Sequence, residues 1–143
     1  MIMNEFVTVI IPTYKGSSAL GRAIDSALNQ SYKELEIIVV DDNASGSEER
    51  LKTEKLMLRY ASNVRVRYLK HPQNLNGAVA RNTGIFAAKG DYIAFLDDDD
   101  YYFPERIQKS VSYLQKNKDA VGVYVGVDVT NENGTVELQV MPK

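Results

Sequence analysis

The length, composition and charge of the chain limit what it can be. Its 143 residues are 44% hydrophobic and 25% charged, as is usual for a soluble globular domain. A net charge of -2 gives no electrostatic case for a nucleic-acid partner, which requires a clustered basic face. Because the chain has no cysteine, disulfides, zinc–thiolate sites and cysteine nucleophiles are excluded.

Neither secretion nor membrane insertion is indicated by the sequence. No apolar run approaches the roughly 20 residues that cross a bilayer, and residues 1–6 lack a signal-peptide pattern. We therefore expect a cytoplasmic protein with no membrane span in this chain. Any attachment to the inner face of a membrane would come from other parts or partners.

The first half of the chain alternates two apolar runs with two amphipathic segments. The run at 7–11 is short, continuous and β-branched throughout, which is typical of a strand buried on both faces, and a second buried strand is predicted at 35–40. Helices are predicted after them at 17–30 and 47–60. The two serines that begin the first helix are its predicted N-caps.

The middle of the chain continues the same alternation. Apolar and basic residues alternate over 64–69, so we expect a strand there that lies near a sheet edge. The Ala-rich stretch 77–89 predicts a helix ended by Gly90 at the C′ position. A buried strand is predicted at 92–96, followed by a helix over 104–116 that begins with a proline.

The last part of the chain predicts β-structure. A further strand is expected at 120–127, and Asn133-Gly134 predicts a two-residue hairpin turn between strands at 127–130 and 135–140. With four strand–helix alternations before it, the chain predicts an α/β fold. Its sheet is expected to be mostly parallel with helices on both faces, followed by a C-terminal β-hairpin. No linker interrupts 1–143, so we expect a single domain.

Unusual residues follow three of the predicted strands. They are Pro12-Thr13-Tyr14, Asp41-Asp42 and the run Asp97 to Asp100. Ligands of open α/β sheets bind at the carboxyl ends of strands, so these residues are expected to share one crevice. Gathering carboxylates is unfavourable unless a cation is present, and Mg²⁺ or Mn²⁺ prefers oxygen ligands. The sequence therefore predicts a site for a metal-bound diphosphate.

Each of these features also has a plainer interpretation. Four aspartates can form a solvated turn, and Asp41 and Asp42 can cap the next turn or helix. Tyr14 can be a packing residue, and an arginine on a helix, such as Arg81, is most often a surface charge. The single histidine, His71, precedes a proline in a polar loop, and we expect it to be structural.

The combination of motifs is more specific than any one of them. Six segments occur in order: VTVIIPTY (7–14), LGRAIDSALNQSY (20–32), EIIVVDDNAS (36–45), NGAVARNTG (76–84), GDYIAFLDDDD (90–100) and PERI (104–107). Their order and spacing resemble the family 2 glycosyltransferases over nearly all of 7–115. The resemblance implies the GT-A fold, a Rossmann-like nucleotide-binding sheet. It also implies inverting transfer of a sugar from a nucleotide-diphosphate donor, which we expect to be a UDP-sugar, to a carbohydrate or lipid-linked acceptor.

The resemblance assigns roles to residues around the nucleotide. Pro12 and Tyr14 would line the nucleobase and ribose pocket. Asp42 would accept a hydrogen bond from the base, as suits a carboxylate facing a uracil imide. Arg81 stands where family members often carry a basic residue near the nucleotide.

The resemblance also assigns the metal site. Asp97, Asp98 and Asp99 look like the D-x-D element of the family. Asp98 would face the ribose and the sugar. Asp99 would be the main ligand of Mn²⁺ or Mg²⁺, with Asp97 helping directly or through water.

The catalytic base departs from the family pattern. In family members the base lies well beyond the D-x-D strand, whereas Asp128, Glu132 and Glu137 lack its motif context. We therefore expect a transferase truncated before its acceptor-binding and catalytic-base region. The alternative is a non-catalytic nucleotide-sugar-binding fragment or interaction module. A receiver-type signalling domain and a sugar nucleotidyltransferase fit less well, because their first strands are followed by acidic or Gly-rich basic motifs that this chain lacks.

Overall fold

The fold consists of two compact units that meet in sequence between Ile107 and Gln108. The computed structural model describes residues 5–131 and 133–141. Within these ranges, no helix combines the length and apolar character that crossing a bilayer would require.

The first unit is built on a four-stranded parallel sheet. Its strands are β1 (Val7–Thr13), β2 (Leu35–Asp41), β3 (Val66–Lys70) and β4 (Tyr92–Phe95). They lie in the order β3-β2-β1-β4, and Val7 of β1 pairs with Leu35 on one side and Tyr92 on the other. The apolar strands β1 and β2 occupy the centre, and the alternating strand β3 lies at an edge, as predicted.

Three helices connect the parallel strands: α1 (Ser17–Leu28), α2 (Glu48–Met57), which continues as a 3-10 turn over Leu58–Tyr60, and α3 (Gly77–Ala87). Of these, α1 and α3 pack on the sheet. A fourth helix, α4 (Arg106–Lys116), follows β4 and runs on into the second unit. This confirms the predicted α/β fold with a mostly parallel sheet.

The core packs α3 against the centre of the sheet. Ile10, Ile38, Val40 and Ala80 form one buried cluster. Gly84 allows this close approach, because a Cβ there would lie 2.5 Å from Cγ2 of Ile10. The strand positions between these residues are buried as well, so both faces of the sheet are covered.

The ends of two helices differ from the predictions. Gly16, not a serine, is the N-cap of α1, and no side chain caps that end. Helix α3 ends at Ala87 with Ala88 extended, so Gly90 is not its C′ residue. Gly90 is needed elsewhere: its N–H donates to Thr8 Oγ1 at 2.9 Å, and a Cβ would lie 2.5 Å from the Thr8 nitrogen.

Helix α4 begins later than predicted. Pro104 and the residue after it form a turn, and the first helical residue is Arg106. The carbonyl of Pro104 accepts a hydrogen bond from Ser31 N at 2.8 Å. This long-range bond holds the turn in place.

The second unit contains an antiparallel hairpin of β5 (Val127–Thr130) and β6 (Val136–Val140), which confirms the predicted hairpin. Its turn is not the predicted two-residue form. The connection runs from Asn131 to Thr135, whose N–H donates to Asn131 Oδ1, and Gly134 adopts φ +79. A shift in the strand register between Val129 and Thr130 accompanies the longer turn.

The prediction of a strand at 120–127 is wrong except at Val127, which is the first residue of β5. Residues 120–126 have no regular structure, and Val121 and Tyr124 are exposed. A strand needs a partner for its ladder of hydrogen bonds. In the part of the second unit that the structure describes, the ladder forms between β5 and β6, and 120–126 takes no part in it.

Candidate functional site

Three strand ends meet at one edge of the first unit. The N–H of Asp42, which follows β2, donates to the carbonyl of Thr13 at the end of β1, at 2.9 Å. The hydroxyl of Thr13 donates to Oδ2 of Asp98, beyond β4, at 2.6 Å. The carboxyl ends of β2, β1 and β4 are therefore linked directly, as parallel strands allow.

The aspartate run, residues 97–100, forms a turn just beyond β4. Leu96 anchors it, because its N–H donates to the carbonyl of Ile10 at 3.1 Å. The turn closes with a bond of 3.1 Å from Asp100 N to Asp97 O. Three of the four aspartates are exposed and Asp98 is half-buried. The plainer interpretation as a turn is therefore correct for the backbone, while the carboxylates remain accessible to a ligand.

Asp98 is the aspartate of the run that is most tightly held. Besides the Thr13 hydroxyl, its carboxylate receives the backbone N–H of Tyr14. A Cβ on Gly16 would lie 1.8 Å from Asp98 Oδ2, so the carboxylate fills the space that a side chain at position 16 would need. Burial raises the pKa of Asp98, and the neighbouring Asp99 and Asp97 raise it further.

Mutual repulsion extends to the end of the run. Burial raises the pKa of Asp100, as do Asp99 and Asp97, while Arg22 opposes the shift. Burial is the larger cause in both groups, and repulsion between the neighbouring carboxylates adds to it. A bound cation would offset that repulsion.

The chemistry of the donors fits a hard divalent cation. Among residues 5–131 and 133–141 no three His, Cys, Asp or Glu side chains are arranged to hold a metal ion. Mg²⁺ usually takes only one or two protein carboxylates and completes its coordination with water and phosphate oxygens. Exposed carboxylates at Asp97 and Asp99 could supply such ligands.

Arg81 lies at the same edge. Its Nη2 is 2.5 Å from Oδ1 of Asp97, and both side chains are partly exposed, at 38% and 52%. Arg81 is therefore more than an isolated surface charge on α3. A metal ligated by Asp97 would compete with this ion pair, so contacts of Arg81 with a nucleotide and of Asp97 with a metal stay predictions.

Asp42 is buried and joins two loops. Its Oδ1 lies 2.7 Å from His71 Nδ1 and accepts the N–H of Leu75 at 2.8 Å, and its Oδ2 accepts Asn74 Nδ2 at 2.8 Å. His71 also contacts Thr83 Oγ1 through Nε2, at 2.9 Å, in keeping with its predicted structural role. Three of the roughly four acceptor positions of the carboxylate are therefore filled, and because the side chain is only 2% exposed, its contact with a nucleobase stays a prediction.

The residues at the end of β1 differ in exposure. Pro12 is partly buried within the strand, where it pairs with Val40. Tyr14 is 49% exposed, and Lys15 Nζ lies 5.0 Å from its ring centroid. Such exposure is more than a packing residue needs, although Lys15 covers one face of the ring. Its contact with a nucleobase stays a prediction.

A buried ion pair behind the site was missed in the sequence. Asp41 is fully buried, with Arg50 Nε 2.9 Å from its Oδ2 and the hydroxyl of Tyr68 bonded to the same oxygen at 2.5 Å. Arg50 Nη2 also donates to three backbone carbonyls, those of Asp41, Asn43 and His71. Burial and the adjacent Asp41 raise the pKa of Tyr68. Arg50 lies in a charged helix, where no sequence signal distinguishes it from surface arginines.

The three carboxylates considered for the catalytic base belong to the C-terminal part. Asp128 accepts a hydrogen bond from Gln139 Nε2 at 2.9 Å across the hairpin. Glu137 is exposed on β6, and Glu132 lies outside the described residues. The hairpin pairing of Asp128 is in keeping with the expected surface role.

Solved structures similar to this chain share its fold. S. aureus TarS 1–349 in complex with UDP has a TM-score of 0.69 and 21% sequence identity, covering 91% of this chain and 43% of that one. The mannosyltransferase PcManGT from Pyrobaculum calidifontis, in complex with GDP-Man and Mn²⁺, has a TM-score of 0.69 and 22% identity. The matched region covers 91% of this chain and 37% of the PcManGT chain. Both are GT-A glycosyltransferases, which confirms the predicted fold.

Sequence comparison identifies the family. An uncharacterized glycosyltransferase of Rickettsia felis is 39% identical over 136 residues, covering 94% of this chain and 21% of the relative. The chain thus spans about a fifth of the length of that relative. A model of the family described as glycosyl transferase family 2 matches residues 8–140. This range includes all six motifs quoted above, apart from Val7 at the start of the first motif. The chain therefore belongs to glycosyl transferase family 2.

Proposed function

We propose that this chain forms the donor-binding part of a glycosyltransferase that moves a sugar from a UDP-sugar to an acceptor hydroxyl. The observation that carries the proposal is the bond of 2.6 Å between Thr13 and Asp98. It fixes the end of β4 against the end of β1, so the aspartate run projects from the edge where parallel sheets bind ligands. The solved TarS and PcManGT structures, which hold UDP and GDP-Man with Mn²⁺, support a nucleotide-bound donor.

The proposed donor site divides between base and diphosphate. Pro12 and Tyr14 would bind the base and ribose, with the open ring face of Tyr14 available for stacking. Asp42 would offer its remaining acceptor position to the base. Arg81 would hold negative charge of the donor once its pairing with Asp97 is released.

The proposed metal site uses the aspartate run. Asp99 and Asp97 would hold Mn²⁺ or Mg²⁺, and Asp98, fixed by Thr13, would face the ribose and sugar. When bound, the metal would supply Lewis-acid stabilisation of the charge that develops on the leaving diphosphate. The chain's own residues bind and orient the donor and keep the carboxylates in place.

Inversion requires a base that takes the proton of the acceptor hydroxyl on the face opposite the leaving group. We do not assign that base to Asp128 or Glu137, which lack its motif context in the described hairpin. The proposed domain, 1–143, is accordingly a nucleotide-sugar-binding one. The second candidate function is donor binding without catalysis. It is supported by the lack of a catalytic-base motif around Asp128 and Glu137 in the described hairpin.

Calorimetry with UDP, UDP-sugars and GDP-mannose, each with and without Mn²⁺, tests the proposal. We expect Mn²⁺ to tighten UDP binding, and Asp99→Ala to abolish most of that metal effect. Asp119→Ala is a matched control, because Asp119 is an exposed aspartate of the second unit. No binding of any nucleotide by the parent chain, or an equal effect of both substitutions, would contradict the donor site. Sugar transfer to added acceptors by the chain alone would show that the base lies within it.

A further inference from the structure

Three polar side chains of the first unit lie in line along α1 and just past its end. Arg22, Ser26 and Gln30 follow one another at intervals of four residues, so they project from one side of the helix. We name them the α1 stripe. They form part of the motif at 20–32, whose residues received no functional role from sequence reasoning.

All three members of the α1 stripe bond the main chain of residues 99–107. The bonds are Arg22 Nη2 to Asp99 O at 2.8 Å, Tyr102 N to Ser26 Oγ at 3.0 Å, Gln30 Nε2 to Phe103 O at 2.8 Å and Ile107 N to Gln30 Oε1 at 3.0 Å. Because the contacts are to backbone atoms, they fix the path of the chain whatever side chains it carries. The stripe therefore fixes the exit of the aspartate run.

The members of the stripe differ in burial. Gln30 is fully buried and also donates to Ser26 O at 3.1 Å, so it is part of the folded framework. Arg22 is exposed, and its guanidinium lies 4.9 Å from the ring centroid of Tyr101. Tyr101 in turn packs edge-on against Phe103, with centroids 5.9 Å apart. Arg22 is thus the member that can be replaced without opening the core.

The way Arg22 binds suits a cation site. An arginine that paired with the Asp99 carboxylate would compete with a metal for the same oxygens. Arg22 instead donates to the Asp99 carbonyl, which leaves the side chain of Asp99 free to turn toward a ligand. Its positive charge also lies beside a run of four aspartates that repel one another.

We propose that Arg22 is a positioning residue of the donor site, which holds the aspartate run in its metal-binding geometry through the Asp99 carbonyl, with Ser26 and Gln30 holding the segment that follows. This inference rests on the proposed function. Arg22 is not among the residues proposed to contact nucleotide or metal, and it acts through the Asp99 carbonyl. Preorganisation of this kind matters for binding, because a loosely held ligand set must be ordered when the metal arrives.

The test compares Arg22→Ala, Arg22→Lys and Arg59→Ala in the full chain. Arg59 is the matched control, since it is also an exposed arginine over a tyrosine ring, at 5.6 Å from Tyr60, but it pairs with Asp25. We expect Arg22→Ala to weaken UDP binding in the presence of Mn²⁺ about tenfold, while UDP binding without metal stays unchanged. Arg22→Lys should recover part of the loss, because a lysine can still donate to the carbonyl but does not reproduce the stacking of the guanidinium on Tyr101. Arg59→Ala should change neither affinity.

Hydrogen exchange of the nucleotide-free protein separates this inference from the proposed function. In Arg22→Ala the amides of Asp100 and Tyr102 should exchange about fivefold faster than in the parent chain, and in Arg59→Ala they should not. Unchanged exchange at both amides would overturn the positioning role, whether or not UDP binds. Equal losses of UDP affinity with and without Mn²⁺ would also overturn it. Failure of the parent chain to bind UDP would overturn the proposed function instead, and the exchange rates would still decide whether Arg22 holds the run.

Discussion

At the scale of single residues, the site depends on close contacts in which one side chain occupies the space that another would need. The gap beside Asp98 is the clearest, because the absence of a side chain at Gly16 is what lets the carboxylate reach Thr13. Glycine is required here for space, since position 16 does not have a positive φ. The identity of residue 16 therefore controls a carboxylate that lies far from it in sequence.

Gly16→Ala should impair donor binding with little effect on folding. The new Cβ would overlap Asp98 Oδ2, but a carboxylate can rotate away, so we expect the free energy of unfolding to change by less than about 1 kcal/mol. With Asp98 displaced from Thr13, UDP affinity in Mn²⁺ should fall about tenfold. Calorimetry and urea unfolding give the two quantities. Gly122→Ala is the control, because a Cβ there meets nothing within 4 Å. A binding defect in Gly122→Ala of equal size would rule out the proposed cause.

The buried pair of Arg50 and Asp41 should contribute strongly to stability. Arg50→Met leaves Asp41 as a buried charge without its partner, which typically costs about 3–5 kcal/mol. Urea unfolding should show this loss, whereas Arg59→Met, at an exposed site, should change stability by no more than about 0.5 kcal/mol. Adding Asp41→Asn to Arg50→Met should recover part of the loss, because the unpaired charge is gone. A double variant no more stable than the Arg50 single variant would mean that the charge is not the cause.

At the scale of elements, the first three strands and the helices between them were predictable because their patterns are unambiguous. Mostly apolar runs, interrupted by Thr8 and Glu36, identified β1 and β2, and the alternating basic positions identified β3 as an edge. The run at 120–127 has a similar composition yet forms a strand only from Val127. Local pattern cannot report whether a hydrogen-bonding partner is present, and that is what decided this segment.

Gly→Ala substitutions in two helices should change the free energy of unfolding in opposite directions, because the two glycines differ in the space around them. Alanine favours a helix interior over glycine by about 1 kcal/mol. In α1, a Cβ on Gly21 would meet nothing closer than 3.4 Å, so Gly21→Ala should be neutral or stabilising. In α3, a Cβ on Gly84 would lie 2.5 Å from Ile10, so Gly84→Ala should destabilise by about 1–3 kcal/mol. Thermal and urea unfolding measure both, and a stabilised Gly84→Ala would contradict the packing of α3 described above.

A single carboxylate joins β2 to its neighbours and should make stability depend on pH. Burial opposes ionisation of Glu36, but bonds from Lys89 N, Thr8 Oγ1 and Arg67 outweigh it and lower the pKa of Glu36 below 4.5. Because the pKa of Glu36 is lower in the folded protein than in the unfolded chain, ionised Glu36 stabilises the fold at pH values above its ordinary pKa. This contribution is lost as the pH falls through the lowered pKa of the folded state.

As pH falls from 7 to below 4, through the lowered pKa of Glu36, the parent chain should therefore lose more unfolding free energy than Glu36→Gln does. Urea unfolding at several pH values provides the comparison. The exposed Glu137, changed to Gln, serves as control and should leave the pH dependence of the parent chain unaltered. Parallel pH curves for the parent chain and Glu36→Gln would show that the contacts of Glu36 are not what makes stability depend on pH.

At the scale of the whole molecule, the candidate site draws on residues that are far apart in sequence. Thr13, Asp42 and Asp98 are joined in space by the parallel sheet, and parallel order follows from the alternation of strands and helices. That much of the site was predictable. The three bonds that occupy Asp42, and the pairing of Arg81 with Asp97, depend on loop conformations that no periodic pattern encodes.

Metal and nucleotide should stabilise the chain cooperatively. Mn²⁺ alone does not complete the proposed site, because the carboxylates of the described residues supply too few ligands for the metal. UDP alone does not complete it either, because the carboxylates repel the diphosphate when no metal is bound. Ligand present at about 100 times its dissociation constant adds about 2.7 kcal/mol to the free energy of unfolding. For a chain of this size such a gain raises Tm by several degrees.

We therefore expect Mn²⁺ and UDP together to raise Tm by more than the sum of their separate effects, and excess EDTA to remove the increase. Asp99→Ala should abolish the cooperative part while retaining the small effect of UDP alone, because the base and ribose contacts do not involve Asp99. Strictly additive shifts in the parent chain would mean that metal and nucleotide bind independently. The aspartate run would then not be the place where they meet.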